Sequence, residues 1–589
     1  MSLEGLETWT FQLDEVDQQL LDIDAHEDTR DNELACFSTG PFGVFPLPRD
    51  GSDQPGDRGP RPMDTDFEDP RHRQEAALPN QDATLGALRD MFSSGNDLGD
   101  PPTPRDGSFE GFPSRFDMDS DLFQEPIIRR LMDNYVNVCA KVLPPLPHPE
   151  NLYSTIYVPQ AMAGASSLLP PSVDHGPTKV PASNEAIFYA VLATSAFHLR
   201  RDKAENGLEL DVLARGFRAK AFESLQKALR EPSPSQYGEG AGGGAPRGDV
   251  SSFSSVHLEA ILSAMLTLTT MDVMEGSMSE YWIHLGGMGP LARELLQREE
   301  HHATPKIARL ITMSTFLSTL ASTTSLDLAE LPWSAAEQHY YYDNDGDGDG
   351  DGDDTTEKRP YDVSCRDYYG LEFAYGITPR LANLMHHVVT LGQHISYYVS
   401  RSDAFPPTLI SACRRLSDDI SSWSIESEAI DDVILPPGSS PARSAGTSSL
   451  SFTAQLAKHH IFAFARGLRV YYHTRILPCR PSDMRLHIDR VAEHLVEIEE
   501  LKLRAGYDHN LCATITWPGF IAACEAERGP SRDVWYRWWT GMLQYGIGNI
   551  AELWQVVQEA WELKDVHGVN EVPAWVPVLR KRGQRILAV

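Results

Sequence analysis

The sequence predicts an all-α fold, a large multi-helix domain with a disordered acidic segment before it and low-complexity loop insertions within it. From about residue 122 onward, apolar residues recur at spacings of three and four, which places them on one face of a helix. Alternating β-branched residues between turn signals are confined to short candidates such as residues 155–158, too few for a sheet.

The clearest helical patterns can be followed in chain order. The first covers residues 187–197, behind Ser183 or Asn184 as the predicted N-terminal cap. The same spacing recurs in three later segments, residues 258–268, 488–498 and 550–561. Each pattern predicts an amphipathic helix with one buried apolar stripe.

The N-terminal part of the chain has a very different composition. Residues 1–125 contain 29 acidic residues, 9 arginines and no lysine, a net charge of −20 out of −33 for the whole chain. Low hydrophobicity combined with strong like charge cannot bury enough apolar surface to offset chain entropy. We therefore expect residues 1–121 to be disordered and residues 122–589 to form one helical domain.

Three segments inside the helical part are rich in Gly, Pro, Ser or Asp and are predicted to be solvated loops, near residues 232–252, 338–360 and 436–450. The second contains an Asp-Gly run from Asp343, whose alternating carboxylates match the first half of a calcium-binding EF-hand loop. The twelfth position is Asp354 instead of glutamate, and neither flank has the apolar phase of an EF-hand helix. An acidic insertion is therefore the favoured interpretation.

Apolar residues near the N-terminus alternate with acidic ones. Their spacing of four, three and four forms an amphipathic pattern, and the candidate partner-binding residues are Trp9, Phe11, Leu13, Val16 and Leu20. A segment of this kind can fold into a partner's hydrophobic groove while its charges keep it from collapsing alone. It is interpreted as an activation segment; the alternative is a solvated tail in which aromatic and acidic residues coincide.

The spacing of the cysteines and the net charge argue against direct DNA binding by this chain. The two closest of the seven cysteines, Cys512 and Cys524, lie twelve positions apart, so the chain has no CxxC pair. A binuclear zinc cluster needs six thiolates in CxxC-type pairs, and a net charge of −33 opposes direct contact with a polyanion. We expect no cofactor in this chain, with zinc only if an N-terminal cluster exists beyond it. The scattered thiols indicate a reducing compartment.

Catalytic and membrane interpretations find little support in the sequence. Asp418 and Asp419 lack the third carboxylate that a magnesium-diphosphate site on a helix would add. Three histidine pairs are adjacent in sequence and diverge by about 100° on a helix, so neither member can chelate with the other: His301 and His302, His386 and His387, His459 and His460. No apolar run approaches the roughly 20 residues of a membrane span, and no signal peptide is recognised. We expect a non-enzymatic, soluble, intracellular protein without a membrane partner.

Three motifs together carry a family resemblance. They are Ser195-Ala-Phe-His-Leu, Trp282-Ile-His-Leu-Gly-Gly-Met, and Trp517-Pro-Gly-Phe followed by tryptophans 535, 538, 539, 554, 561 and 575. This order resembles the fungal-specific transcription factor regulatory domain of the arginine-metabolism-regulator type, although Met288 stands where that pattern usually has alanine. The resemblance implies a helical regulator of RNA polymerase II transcription in a fungal nucleus, normally attached to a zinc-cluster head.

The same resemblance implies the partners: transcriptional co-regulators, a second copy or a related chain in a homodimer or heterodimer, and DNA only indirectly or through the missing zinc cluster. Two explanations of the missing head stay open, a cluster omitted from this chain or a headless regulator acting with a DNA-binding partner. The resemblance favours the first, because the family usually carries the head. The alternative functions are a non-transcriptional helical scaffold or binding protein and, last, a helical enzyme.

Two structural expectations belong to the motifs. The tryptophans are predicted to form a core, because each can bury roughly 150 to 250 Å². The alternative is that some of them line a cavity for a hydrophobic effector. Gly286 and Gly287, which lack a Cβ atom, are predicted to let a neighbouring helix approach closely.

Overall fold

The structure is a computed structural model. It describes residues 126–167, 181–200, 207–230, 254–277, 280–298, 304–326, 331–333, 370–428, 452–477, 481–567 and 573–589. The predicted acidic segment 1–121, with Trp9, Phe11, Leu13, Val16 and Leu20, lies outside these residues. The three predicted insertions and the Asp-Gly run from Asp343 also lie outside them.

Helices account for all regular structure in the described part of the chain, which confirms the predicted all-α fold. The first half contains α1 (Pro126–Asn134), a π-helical turn (Tyr135–Cys139), α2 (Ala140–Val142), a second π-helical turn (Tyr153–Tyr157), α3 (Val158–Ser167), α4 (Ala182–Leu199), α5 (Gly207–Arg230), α6 (Ser255–Glu275), α7 (Tyr281–Arg298) and α8 (Pro305–Thr323).

The second half contains α9 (Leu371–Tyr375), α10 (Pro379–Arg401), α11 (Pro407–Ser422), a 3-10 turn (Ile425–Ser427), α12 (Phe452–Arg475), α13 (Pro481–Arg504), α14 (Trp517–Glu525), α15 (Pro530–Met542), a 3-10 turn (Leu543–Tyr545), α16 (Gly548–His567) and α17 (Trp575–Arg582). In the first half α4 packs against α3, α5 and α6. In the second half α12 packs against α13 and α14, and α16 contacts both α14 and α6.

Local sequence explains where several helices begin. Both α8 and α10 start at a Thr-Pro pair, and the threonine hydroxyl accepts a hydrogen bond from the backbone N–H three residues later. The Oγ1 atoms of Thr304 and Thr378 each lie 3.3 Å from that nitrogen. Proline suits the first helical position because its missing N–H would have no partner there. By contrast, α4 begins at Ala182 behind Pro181, so the cap predicted at Ser183 or Asn184 was wrong.

The short β candidate at residues 155–158 was also wrong. These residues run through the second π-helical turn into α3. Asn151 holds the start of this turn, because its Oδ1 accepts from the N–H of Tyr153 at 2.9 Å and its Nδ2 donates to the Ala140 carbonyl at 2.5 Å. Ile156 and Tyr157 are buried. Side-chain capping and burial against helices therefore override the β-branched character of this stretch.

Three helices are buried on nearly every side. These are α4, α6 and α14, whose burial extends well beyond the single stripe expected from their apolar spacing. A helix surrounded by other helices has no solvent face and can be apolar all round.

Apolar character makes α6 resemble a membrane span. Its length and composition would suffice to cross a membrane, so the expectation that no run reaches this length was wrong. However, 78% of its most apolar window is buried inside the protein. That burial accounts for the composition, because a central core helix needs apolar residues on all faces.

The C-terminal residues connect distant helices. Ile586, Leu587 and Ala588 are buried. The backbone carbonyls of Ile586, Leu587 and Val589 accept three side-chain hydrogen bonds, from Thr324 to Ile586 at 2.6 Å, Asn549 to Leu587 at 2.8 Å and Thr516 to Val589 at 2.8 Å. The tail therefore joins the end of α8, the start of α14 and the start of α16.

Close helix contact occurs at a glycine outside the Trp282 motif. An added Cβ at Gly164 of α3 would lie 2.0 Å from the backbone oxygen of Asn184 in α4. Gly286 has nothing within 4 Å, so the close approach predicted there was wrong. Gly287 faces only the end of the Met265 side chain, at 2.8 Å. The tightest of these helix crossings is therefore between α3 and α4.

Candidate functional site

Six of the seven C-terminal tryptophans are buried, as predicted, and Trp535, Trp538, Trp539, Trp554 and Trp561 pack into one cluster. Those that are buried are Trp517, Trp535, Trp538, Trp539, Trp554 and Trp575. Consecutive rings in the series 535, 538, 539, 554 and 561 have centroids 5.0 to 6.0 Å apart. Edge-to-face pairs at such distances contribute about 0.5 to 1.5 kcal/mol each beyond area burial. The cluster holds α15 against α16.

Two indole N–H groups of the C-terminal tryptophans donate hydrogen bonds to other helices. Trp517 Nε1 donates to Thr323 Oγ1 in α8 at 2.8 Å, and Trp561 Nε1 donates to the Ala523 carbonyl in α14 at 2.8 Å. The Trp517 ring also stacks on Phe464 of α12, with centroids 5.6 Å apart. Most of the cluster is therefore structural.

A cleft of about 730 Å³ lies beside the cluster, between α13 and α15. Ala492 and Val496 contribute apolar surface from α13, and Val534 and Trp538 contribute it from α15. The volume falls within the roughly 300 to 1,000 Å³ of small-molecule sites. Trp538 is the member of the tryptophan cluster that lines the cleft. The alternative that tryptophans line a cavity for a hydrophobic effector stays a prediction, and this cleft is where it would apply.

Buried polar groups form another part of the cleft lining. Lys502, 2% exposed, donates from Nζ to Glu499 Oε1 at 2.9 Å, to Thr514 Oγ1 at 2.8 Å and to Tyr545 OH at 3.1 Å. An ammonium group has three protons, so all of them are used. Tyr545 OH also donates to Glu499 Oε2 at 2.7 Å. The four side chains form one connected network.

The network fixes the ionisation of its acidic members. Burial raises the pKa of Glu499, but the Lys502 cation and the hydrogen bonds from its neighbours outweigh burial, and the pKa is lowered. Burial, followed by the Glu499 carboxylate, raises the pKa of Tyr545 far above its ordinary value. Glu499 therefore stays a carboxylate and Tyr545 stays a phenol. Neither is poised as a general acid or base near pH 7.

The Glu499 carboxylate is the polar group of the network that a ligand in the cleft would contact. Oε2 of Glu499 accepts a hydrogen bond from Tyr545, and a carboxylate oxygen has two lone pairs. The Glu499 side chain lines the cleft and is 23% exposed. Apolar walls with one or two fixed polar groups are typical of small-molecule sites.

Comparison with known proteins assigns this chain to a family. The family model for the fungal specific transcription factor domain matches residues 130–589. The chain belongs to that family. The fungal specific transcription factor domain therefore includes the tryptophan cluster, the cleft and the helices that carry them. Membership of this family supports a role in the regulation of transcription.

A curated relative supports the same assignment. The chain is 21% identical over 517 residues to the arginine metabolism regulation protein II of Saccharomyces cerevisiae. The alignment covers 75% of this chain and 53% of the relative, so the chain spans about half the length of that protein. No solved structure matches the chain.

The Trp282 motif of the domain is associated with a buried charge cluster. Asp272 of α6, fully buried, lies 3.2 Å from Nη2 of Arg218 in α5 and 3.6 Å from Nε2 of His284 in α7. Burial raises the pKa of Asp272 to about 7, despite Arg218. Burial and then Arg218 lower the pKa of His284 to about 4. His284 is therefore neutral near pH 7, and the motif histidine packs with Phe222 at 5.2 Å.

The remaining predicted sites have separate outcomes. The candidate partner-binding residues of the N-terminal segment lie outside the described residues, as do His301 and His302. His386 and His387 have ring centroids 6.4 Å apart, and His459 contacts His494 of α13 whereas His460 is buried. Both pairs diverge as predicted. Among the described residues, no group of three His, Cys, Asp or Glu side chains could hold a metal ion.

Sequence reasoning missed the Lys502 network. Its members come from α13, the segment after it and the turn after α15, up to 46 positions apart. The one local signal is the spacing of three between Glu499 and Lys502, which is common on solvated helices. A pattern of that kind does not predict burial of the lysine.

Proposed function

We propose that this domain is the regulatory body of a fungal RNA polymerase II transcription factor that acts in the nucleus. The observation that carries the proposal is the family match across residues 130–589, directly after an acidic segment with a net charge of −20 over residues 1–125. In this proposal the acidic segment recruits transcriptional co-regulators, and the helical body controls its output.

DNA contact in this proposal comes from outside the printed sequence. The chain has no CxxC pair for a zinc cluster, and its net charge of −33 opposes non-specific contact with the phosphates of DNA. A zinc-cluster head on a longer chain, or a DNA-binding partner in a homodimer or heterodimer, supplies this contact. Sequencing the transcript upstream of Met1 decides between them: an in-frame CxxC-rich segment supports the head, and an in-frame stop codon supports the partner.

A reporter assay tests the activation segment. Residues 1–125 are fused to a heterologous DNA-binding module, and we expect reporter induction. Substituting Trp9, Phe11 and Leu13 by alanine should abolish it, because these residues supply apolar contacts to a partner groove. The matched control replaces Phe37, Phe42 and Phe45 by alanine, which removes three aromatic side chains at unchanged charge and should leave induction intact.

The outcomes separate the competing functions. Absence of induction in any reporter favours a non-transcriptional scaffold. Equal loss in both triple variants indicates that aromatic content in general, and not the amphipathic pattern, is responsible. Exclusion of the fluorescently tagged full chain from the nucleus under all growth conditions would refute the nuclear role.

A further inference from the structure

A group of basic side chains meets where α12 and α13 pack side by side. Arg466, Arg469 and His473 lie at spacings of three and four on α12, and His487 lies opposite them on α13. Nη1 of Arg466 is 3.5 Å from Nδ1 of His487. All four side chains are partly exposed, so the group can be reached from solvent. We call these four residues the cationic seam.

The two arginines of the cationic seam have no carboxylate partner within the described part of the chain. Arg466 contacts His487, and Arg469 donates to the carbonyls of Ser421 at 2.8 Å and Ile420 at 3.3 Å at the end of α11. A partly buried charge is normally paired, because removing it from water is costly. In a chain with a net charge of −33, two neighbouring guanidinium groups without an anion are unexpected.

The pKa values of the cationic seam are lowered by burial and by neighbouring positive charges. Burial lowers the pKa of His487 to about 3, and the next contributions come from Arg469 and Arg466. Burial and then Arg466 lower the pKa of Arg469 to about 10. Burial and then Arg490 of α13 lower the pKa of Arg466. A bound anion would remove the repulsion among these groups.

We propose that the cationic seam binds a small phosphate-type oxyanion, inorganic phosphate or a phosphomonoester, between α12 and α13. Guanidinium groups present planar pairs of N–H donors that match phosphate oxygens. Arg466 and Arg469 lie one helical turn apart and can donate to the same group. His473 and His487 add further nitrogen atoms at the rim. The site is distinct from the cleft between α13 and α15.

Calorimetric titration and thermal unfolding of the full chain test the proposal. Inorganic phosphate is added at constant ionic strength, balanced with sodium chloride. We expect saturable binding and a midpoint of thermal unfolding that rises with phosphate concentration. Arg466→Gln and Arg469→Gln should each weaken binding by about tenfold or more, because each removes charge-assisted hydrogen bonds. Arg466→Lys keeps the positive charge but loses the planar pair of N–H donors, so its affinity for phosphate should be intermediate.

The matched control is Arg537→Gln on α15. Arg537 is exposed and donates to the backbone carbonyl of Asp533 at 3.3 Å, so its loss removes one positive charge away from the seam. Its phosphate affinity should equal that of the wild type. Phosphate can also stabilise a protein because it is excluded from protein surfaces in general. If phosphate raises the unfolding midpoint of every variant equally, this general effect explains the result and the proposal is overturned.

Thermal unfolding without phosphate tests whether Arg466 has a purely structural role. Without phosphate, Arg466→Gln should unfold at the same temperature as the wild type or higher, because it relieves repulsion. Absence of saturable phosphate binding to the wild type refutes the site. Binding of a phosphorylated peptide alone, without inorganic phosphate or a phosphomonoester, also refutes it. If the glutamine variants fail to fold, the affinity of Arg466→Lys decides, and an unchanged value contradicts the proposal.

Discussion

Substitution of Gly164 by alanine tests the tightest helix crossing described above. An alanine Cβ at this position would lie 2.0 Å from the Asn184 oxygen, 2.4 Å from its carbonyl carbon and 2.9 Å from the Glu185 nitrogen. A carbon–oxygen contact normally needs about 3.3 Å, so α3 and α4 must separate by roughly 1 Å. All three obstacles are backbone atoms, which cannot rotate away as a side chain does.

The expected cost follows from two opposing effects. Overpacking typically costs about 1 to 3 kcal/mol, and backbone obstacles put this site at the upper end of that range. Replacing a mid-helix glycine by alanine contributes about 1 kcal/mol in the opposite direction. The free energy of unfolding should therefore fall by about 2 kcal/mol. Urea titration of the full chain, followed by tryptophan fluorescence and far-ultraviolet circular dichroism, measures it.

Gly286→Ala is the matched control. Gly286 lies in α7 with nothing within 4 Å of an added Cβ, so the substitution gains helix propensity without a clash. The control should be equally or more stable than the wild type, by up to about 1 kcal/mol. If Gly164→Ala is as stable as Gly286→Ala, the close contact between α3 and α4 is refuted. Coincident transitions by both optical probes are required for the comparison.

Two further predictions concern buried polar groups. The pKa of Asp272 is about 7 in the folded protein, against 3.8 as its ordinary value, so the folded state binds a proton that the unfolded chain lacks between about pH 4 and 7. Stability from this group falls as pH rises through that window, and urea midpoints should show Asp272→Asn gaining on the wild type there. Deleting residues 586–589 removes the carbonyl acceptors of Thr516 and Asn549 and the nearer of the two acceptors of Thr324, whose hydroxyl keeps the Ala321 carbonyl. At about 1 to 3 kcal/mol for each of the two groups left without an acceptor, the free energy of unfolding should fall by at least about 2 kcal/mol.

Each of these has a control. Glu294→Gln removes a partly exposed carboxylate that pairs with Arg298 on α7 and does not act on the pKa of Asp272, so it should not flatten the pH dependence. An Asp272→Asn variant whose stability runs parallel to the wild type at every pH would contradict the argument. For the tail, deletion of Val589 alone removes one of the three hydrogen bonds and should cost less. Equal urea midpoints for the four-residue deletion and the wild type would rule out the tail's role.

Periodicity and composition anticipated much of the fold because helix formation is local. The apolar spacing over residues 488–498 and 550–561 corresponds to parts of α13 and α16. Tryptophan content correctly predicted the C-terminal core, since large aromatic side chains bury wherever a fold allows it. The cap at Ser183 or Asn184 and the candidate strand at residues 155–158 failed, because capping and turn contacts one or two residues away competed with propensity.

The helical class and the family resemblance could be predicted from the sequence, since each depends on residue type and near-neighbour spacing. The close contact at Gly164, the position of the cleft and the pairing of distant charges follow instead from how the helices pack. Lys502 and Tyr545 are 43 positions apart in the chain, yet share a buried hydrogen bond. Arg466 and His487 meet because α12 and α13 pack side by side. Such contacts depend on how helices pack, which no short-range pattern encodes.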